Sequence, residues 1–157
     1  MFELTQIQNE IKAPKNQKNN FGNYNYRSAE DIQQALKPLL LNYNCMVTLS
    51  DEIIEIGHQP NKSENNTHKE DHGESSHQES KSFLQEGSRY YVKATATFTD
   101  PNGKTVTVTA SARESMSKKG MDSAQITGSA SSYARKYALC GLLLLDDTKD
   151  ADSFDNK

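Results

Sequence analysis

RYYVKATATFTDPNGKTVTVTASAR, residues 89–113, is the most regular stretch of the chain. Tyr90, Val92, Ala94, Ala96 and Phe98 alternate with Tyr91, Lys93, Thr95, Thr97 and Thr99. Successive side chains of a strand point to opposite faces, so this period of two separates an apolar face from a polar one. Asp100-Pro101-Asn102-Gly103 follows with the chemistry of a type I turn: Asp first, Pro second, Gly fourth. Val106, Val108, Ala110 and Ala112 then resume the alternation against Thr105, Thr107, Thr109, Ser111 and Arg113. The reading is a long antiparallel hairpin over 89–113. One face needs covering, and Lys93 and Arg113 stand among threonines on the other.

The flanks supply the cover. Phe2, Leu4, Ile7 and Ile11 predict an amphipathic helix that stops by Pro14. Lys15 to Arg27 has no period and reads as a loop or irregular extended segment. Ser28 caps a second helix whose first turn holds Glu30 and Asp31, with a buried stripe of Ile32, Ala35, Leu36, Leu39, Leu40 and Tyr43. Pro38 lies inside that stripe and is expected to bend or break the helix. Cys45–Leu49 and Ile53–Ile56 read as two short strands around Ser50-Asp51-Glu52. After the hairpin, a loop with Lys118, Lys119 and Gly120 leads to Asp122-Ser-Ala-Gln125, a capping box. The helix it opens is expected to run to about Leu139 and to end at Gly141. Ile126, Ala130, Tyr133 and Tyr137 are its expected buried stripe, which turns Arg135 and Lys136 outward; Ala124, Gly128, Ser131 and Ala138 form a neighbouring row of small residues. The fold class is therefore α+β, a mostly antiparallel sheet packed by helices.

Composition sets the domain organisation. Only 34% of the 157 residues are hydrophobic, and the polarity is concentrated in 57–88 and 146–157. Setting those segments aside leaves 113 residues, 43% hydrophobic, enough for one ordinary core. The expectation is a single domain, 1–145, interrupted by a disordered polar insert at about 57–88 and followed by an acidic tail, 146–157. Charge divides likewise. The chain is net −3, yet residues 89–145 hold eight Lys+Arg against three Asp+Glu. A basic half beside acidic segments suits a polyanion-binding surface.

Several functions drop out. The apolar run Leu139–Leu145 is far too short to span a bilayer, so no membrane role is expected. Met1–Ala13 lacks the apolar core of a secretion signal, and the lone Cys45 and Cys140 suit reduced thiols in a cytosol. No GxxxxGK[ST] is present, so nucleotide hydrolysis of that kind is not encoded. The four histidines (His58, His68, His72, His77) all fall in the polar insert, leaving none for a catalytic triad in the core. Asp146, Asp147, Asp150 and Asp152 are the acids a magnesium-dependent single-strand nuclease would use, but no glycine shapes a binding loop there and four acids in a solvated tail are commonly bland. A protein-interaction module that uses the acidic insert as bait is a third class.

The basic and aromatic residues are more informative. Lys15, Lys18, Phe21, Tyr24, Tyr26 and Arg27 mix cations with rings in one segment, as single-strand binding requires. The same residues also suit a loop that plugs its rings into the core. Arg135 and Lys136, late in the final helix, have an alternative role in offsetting its dipole.

FGNYNYRSAEDI (21–32), ARE (112–114), KKGMDSAQITGSASSYARKYALCGL (118–142) and DDTKDAD (146–152) resemble the Essential Recombination Function (Erf) family of phage proteins that anneal single-stranded DNA. The resemblance implies a fold similar to that of ring-forming annealing recombinases. It implies ATP-independent binding and annealing of complementary strands in phage homologous recombination, without enzymatic chemistry and without a cofactor. It also implies assembly into homo-oligomeric rings or helices, in the cytoplasm of a bacterial host, beside a phage exonuclease and a single-strand-binding protein. Arg135, with Lys136 adjoining, falls where the wider superfamily places a basic residue at its DNA groove. The DNA-binding candidates are thus Arg135, Lys136, Lys118, Lys119, Arg113, Lys93, Arg27, Tyr24, Tyr26, Lys15 and Lys18.

Overall fold

A computed structural model describes residues 2–19, 23–57 and 89–145. The polar insert from His58 onward, the acidic tail with its aspartates, and Phe21 lie outside the described residues.

The hairpin forms as its alternation requires. β4 (Arg89–Thr99) and β5 (Thr105–Arg113) pair antiparallel, with Tyr91 opposite Arg113 and Thr99 opposite Thr105. The Gly103 N–H donates to the Asp100 carbonyl at 3.0 Å. The Asp100 carboxylate accepts from the Asn102 and Lys104 N–H groups at 2.9 and 2.8 Å, which satisfies a buried acid with fixed backbone donors. Val92, Ala94, Ala96 and Phe98 are all buried on the apolar face.

β3 (Met46–Ile56) joins on the other side of β4, antiparallel from Met46↔Thr99 to Ile56↔Arg89, giving the order β3-β4-β5. It is one continuous strand, not the expected two. Ser50-Asp51-Glu52 carries turn chemistry in isolation, but the ladder absorbs its charges. Glu52 lies opposite Lys93 and accepts from its Nζ at 2.6 Å, while Asp51 finds partners on a helix.

Lys15–Arg27 is more regular than expected. β1 (Gln17–Asn19) and β2 (Tyr24–Tyr26) form a small antiparallel ribbon with Gln17 opposite Tyr26.

Three helices complete the fold, α1 (Phe2–Glu10), α2 (Ala29–Tyr43) and α3 (Ser123–Leu143), with α3 packed on β4 and β5 and the other two packed against α3 and each other. Both expected helix starts hold. Ser28 and Asp31 form a reciprocal capping box, as do Asp122 and Gln125. α2 passes through Pro38 without ending. The carbonyl deprived of its donor belongs to Gln34, and Gln34 and Pro38 are both exposed, so water can replace the missing bond.

α3 runs on to Leu143, beyond the expected end at Leu139, and terminates with Leu144 in the left-handed region (φ 53°). Gly141 is inside the helix instead of closing it. A Cβ there would stand 3.1 Å from Val108 Cγ1, so glycine permits close approach to β5. The sheet-facing row is Ala130, Ala134, Ala138 and Leu142, one row over from the expected stripe. Ala94, Ala96, Ala110 and Ala112 face it, and two layers of alanine leave no room for tyrosine rings. Tyr133 and Tyr137 are therefore exposed, and it is Lys136 that is buried, reversing the expected outward turn of that lysine. In the neighbouring row of small residues, Ala138 is buried and Ser131 bonds Asp51 on β3, while Ala124 and Gly128 are exposed. Leu139, Cys140, Leu142 and Leu143, in the last turns of α3, are all buried, and α1 and α2 pack against this helix as well. The Gln8 amide donates to the Leu142 carbonyl at 2.8 Å across that junction.

Candidate nucleic-acid interface

The exposed tyrosines of α3 begin the site. Tyr133 and Tyr137 are four residues apart on one flank, 50% and 40% exposed, with ring centroids 6.3 Å apart and planes tilted by 36°. Lys136, only 6% exposed, brings its Nζ to 4.8 Å from the Tyr137 centroid and 5.8 Å from that of Tyr133. Those distances are within cation–π reach.

A groove runs along this flank. Its middle section, about 390 Å³, lies between the end of β5 and α3 and is lined by Arg113, Lys118, Ile126, Tyr133 and Tyr137 among others. Arg113, Ser115 and Ile126 also line a section reaching Arg89 and Tyr90. Ser129 and Tyr133 also line a section formed with Tyr26, Arg27 and Lys136. Together the three sections carry five cations (Arg27, Arg89, Arg113, Lys118, Lys136) against two carboxylates (Glu30, Glu114), with four tyrosines between them.

Local structure explains the placement. Lys118 stands at a turn closed by the Met121 N–H on its carbonyl at 3.1 Å, with Gly120 supplying the φ of +80° that position demands. Arg27 and Tyr26 end the ribbon immediately before the Ser28 cap, so the start of α2 fixes them beside α3. Tyr24 packs edge-on against Tyr26 at 6.4 Å and its hydroxyl accepts from Asn19 at 2.9 Å.

The remaining candidates are elsewhere. Arg135 is two residues from both Tyr133 and Tyr137, about 200° round the helix axis. It lies against β3, where its Nε and Nη2 reach the Asp51 carboxylate at 3.0 and 2.9 Å, and Ser131, one turn earlier, bonds the same carboxylate. Partial burial pushes the Asp51 carboxyl up, but the bonds from Arg135 and Ser131 outweigh it and hold the group below its usual range. Lys93 is paired with Glu52 on the outer sheet face. The Lys15 ammonium is buried without a hydrogen-bond partner, and Lys18 on β1 and Lys119 in the 114–122 loop are exposed away from the groove lining.

The sequence reading missed Tyr133, Tyr137, Arg89 and Tyr90 as lining residues. The signal for the first two was the alanine row at 130, 134 and 138, which competes with them for the sheet. Among the described residues no three His, Cys, Asp or Glu side chains gather to hold a metal ion, and both cysteines are free thiols. The aspartates of the nuclease alternative lie outside the described residues. No described helix is long and apolar enough to cross a membrane.

The chain is 45% identical over 154 residues to the Essential recombination function protein of Salmonella phage P22, an alignment covering 98% of this chain. It spans 59% of the length of that relative. No solved structure matches it. The ERF superfamily matches residues 2–157, which takes in both ends of the groove and every element that builds it, and the chain belongs to that superfamily.

Proposed function

We propose that this chain acts in phage recombination by binding single-stranded DNA along the α3 groove and annealing complementary strands without a nucleotide cofactor. One observation carries the reading: three adjoining clefts, joined through shared lining residues, in which Arg27, Arg89, Arg113 and Lys118 stand among tyrosines. Cations that track phosphates beside rings that accept bases are the minimal equipment for holding a single strand. The printed name of the P22 relative adds a recombination context.

The mechanism needs no bond chemistry. Phosphate contacts neutralise one strand and hold it extended, and the second strand pairs by its own hydrogen bonds. One groove of this size covers few nucleotides, so neighbouring copies in a ring or helix continue it. A phage exonuclease that exposes single strands and a single-strand-binding protein are the fitting partners.

The test is annealing of labelled complementary oligonucleotides in the absence of ATP. Acceleration over the protein-free rate is expected. Single-strand affinity should also fall with salt, by a log–log slope of about −0.7 per phosphate contacted. Annealing no faster than in buffer, or an affinity indifferent to salt, would sink the reading.

A further inference from the structure

We infer that Tyr133 and Tyr137 form a base-stacking platform, and that Lys136 is a positioning residue that props the two rings and does not contact phosphate. The inference rests on the single-strand reading above and deepens it by dividing the groove between bases and backbone.

Three observations carry it. A large aromatic on a surface helix is ordinarily turned to the core, yet these two stay 50% and 40% exposed beside a row of alanines that occupies the sheet. Their centroids are 6.3 Å apart and tilted by 36°, too far for the rings to stack face to face on each other. The residue between them in the groove wall is a lysine with 6% exposure, whose ammonium lies 4.8 and 5.8 Å from the two centroids. A lysine serving phosphates would reach into solvent at the end of its flexible stem. This one is folded under the rings, where its charge restrains their orientation.

The division suits annealing. A base stacked on a ring uses its π-face and leaves its pairing edge open, so a held strand can still be read by its complement. Stacking is also indifferent to sequence, since every base has a face. Arg113 and Lys118 line the same section as the tyrosines and are placed to take the phosphates on either side.

The experiment compares the 157-residue chain with Tyr133→Leu, Tyr137→Leu and Lys136→Met on two probes of equal length, oligo-dT and an abasic strand. Wild type should prefer oligo-dT, and each leucine substitution should weaken oligo-dT binding about 5- to 150-fold. Binding of the abasic strand should change little, and the salt slope should stay that of wild type. Lys136→Met should lower oligo-dT affinity by a smaller factor, again with an unchanged slope. Tyr133→Phe and Tyr137→Phe should retain binding. The chain has no tryptophan, so Tyr133→Trp adds a clean reporter whose emission should be quenched by oligo-dT and not by the abasic strand.

Equal wild-type affinity for the two probes, or leucine variants that weaken both probes alike, would overturn the platform. A slope shallower by about 0.7 in Lys136→Met would make that lysine a phosphate contact instead. Salt-independent binding by wild type would instead remove the single-strand reading itself. Should a leucine variant fail to fold, the phenylalanine and tryptophan variants still decide the question.

Discussion

Asp51 commits Arg135 to the fold. Its carboxylate takes two guanidinium nitrogens and the Ser131 hydroxyl, so the most recognisable cation of α3 is engaged within the chain, on the flank away from the tyrosines. The folded carboxyl titrates below its unfolded value of about 3.9. Its stabilising contribution is therefore complete above that value and is lost as pH falls through the depressed folded value. Arg135 is 41% exposed, so water and salt screen the pair, and Arg135→Ala is expected to cost only about 1 kcal/mol at neutral pH. Urea midpoints measured from pH 2 to 7 should show a shallower acid limb in both Arg135→Ala and Asp51→Asn. Single-strand binding by Arg135→Ala should keep the wild-type salt slope; a slope shallower by about 0.7 would return this residue to the DNA surface. The sequence marked Arg135 as outward and basic, but its partner is 84 residues away, across a pairing that no local pattern records.

At the scale of elements, what was legible is what local chemistry dictates. Alternation gave the 89–113 hairpin, Asp100-Pro-Asn-Gly its turn, and Ser28 and Asp122 the helix starts. The misreadings arose where tertiary packing overrode a local signal. Asp51 is neutralised by Arg135 of α3, Glu52 by Lys93 across the sheet, and the alanine row displaces the tyrosines from the core, while solvent access at Gln34 accommodates Pro38. The same packing separates the glycines of α3. Gly141 abuts Val108, whereas a Cβ on Gly128 would meet nothing within 4 Å. Gly128→Ala should therefore stabilise the fold by about 0.4–1 kcal/mol through reduced freedom of the unfolded chain, with annealing unchanged. A lower melting temperature in that variant would contradict the open surroundings of Gly128. The connection between β3 and β4 allows a second test. Ile56 and Arg89 are direct partners in the ladder, so a turn replacing residues 58–87 has only a short gap to span. Loop-closure cost grows only slowly with length, and a short Gly/Ser turn in their place should leave the melting temperature equal or slightly higher. A large loss would mean that the segment contributes packing of its own.

Across the whole molecule, charge is sorted by surface rather than by total. The chain is net −3, yet the groove gathers five cations against two carboxylates, while Lys93 and Arg135 are neutralised by Glu52 and Asp51 on other faces. A net negative molecule that binds a polyanion must do so through such a local field, and the field should respond to position, not to the number of lysines removed. Two double variants of equal charge change separate these alternatives. Arg113→Ala with Lys118→Ala removes two cations from the middle of the groove. Lys18→Ala with Lys93→Ala removes two from β1 and the outer sheet face, where neither lines the groove. If position governs, the first pair should weaken single-strand binding and make its salt slope shallower by about 1.4, or 0.7 per lost contact, while the second keeps the wild-type slope. Both should remain folded, since none of the four residues is buried and only Lys93 gives up an ion pair, a partly exposed one worth about 0.2–1 kcal/mol. Equal loss of slope in the two variants would show that the strand responds to overall charge. Loss confined to the Lys18 and Lys93 pair would move the binding surface from α3 to the threonine face of the sheet.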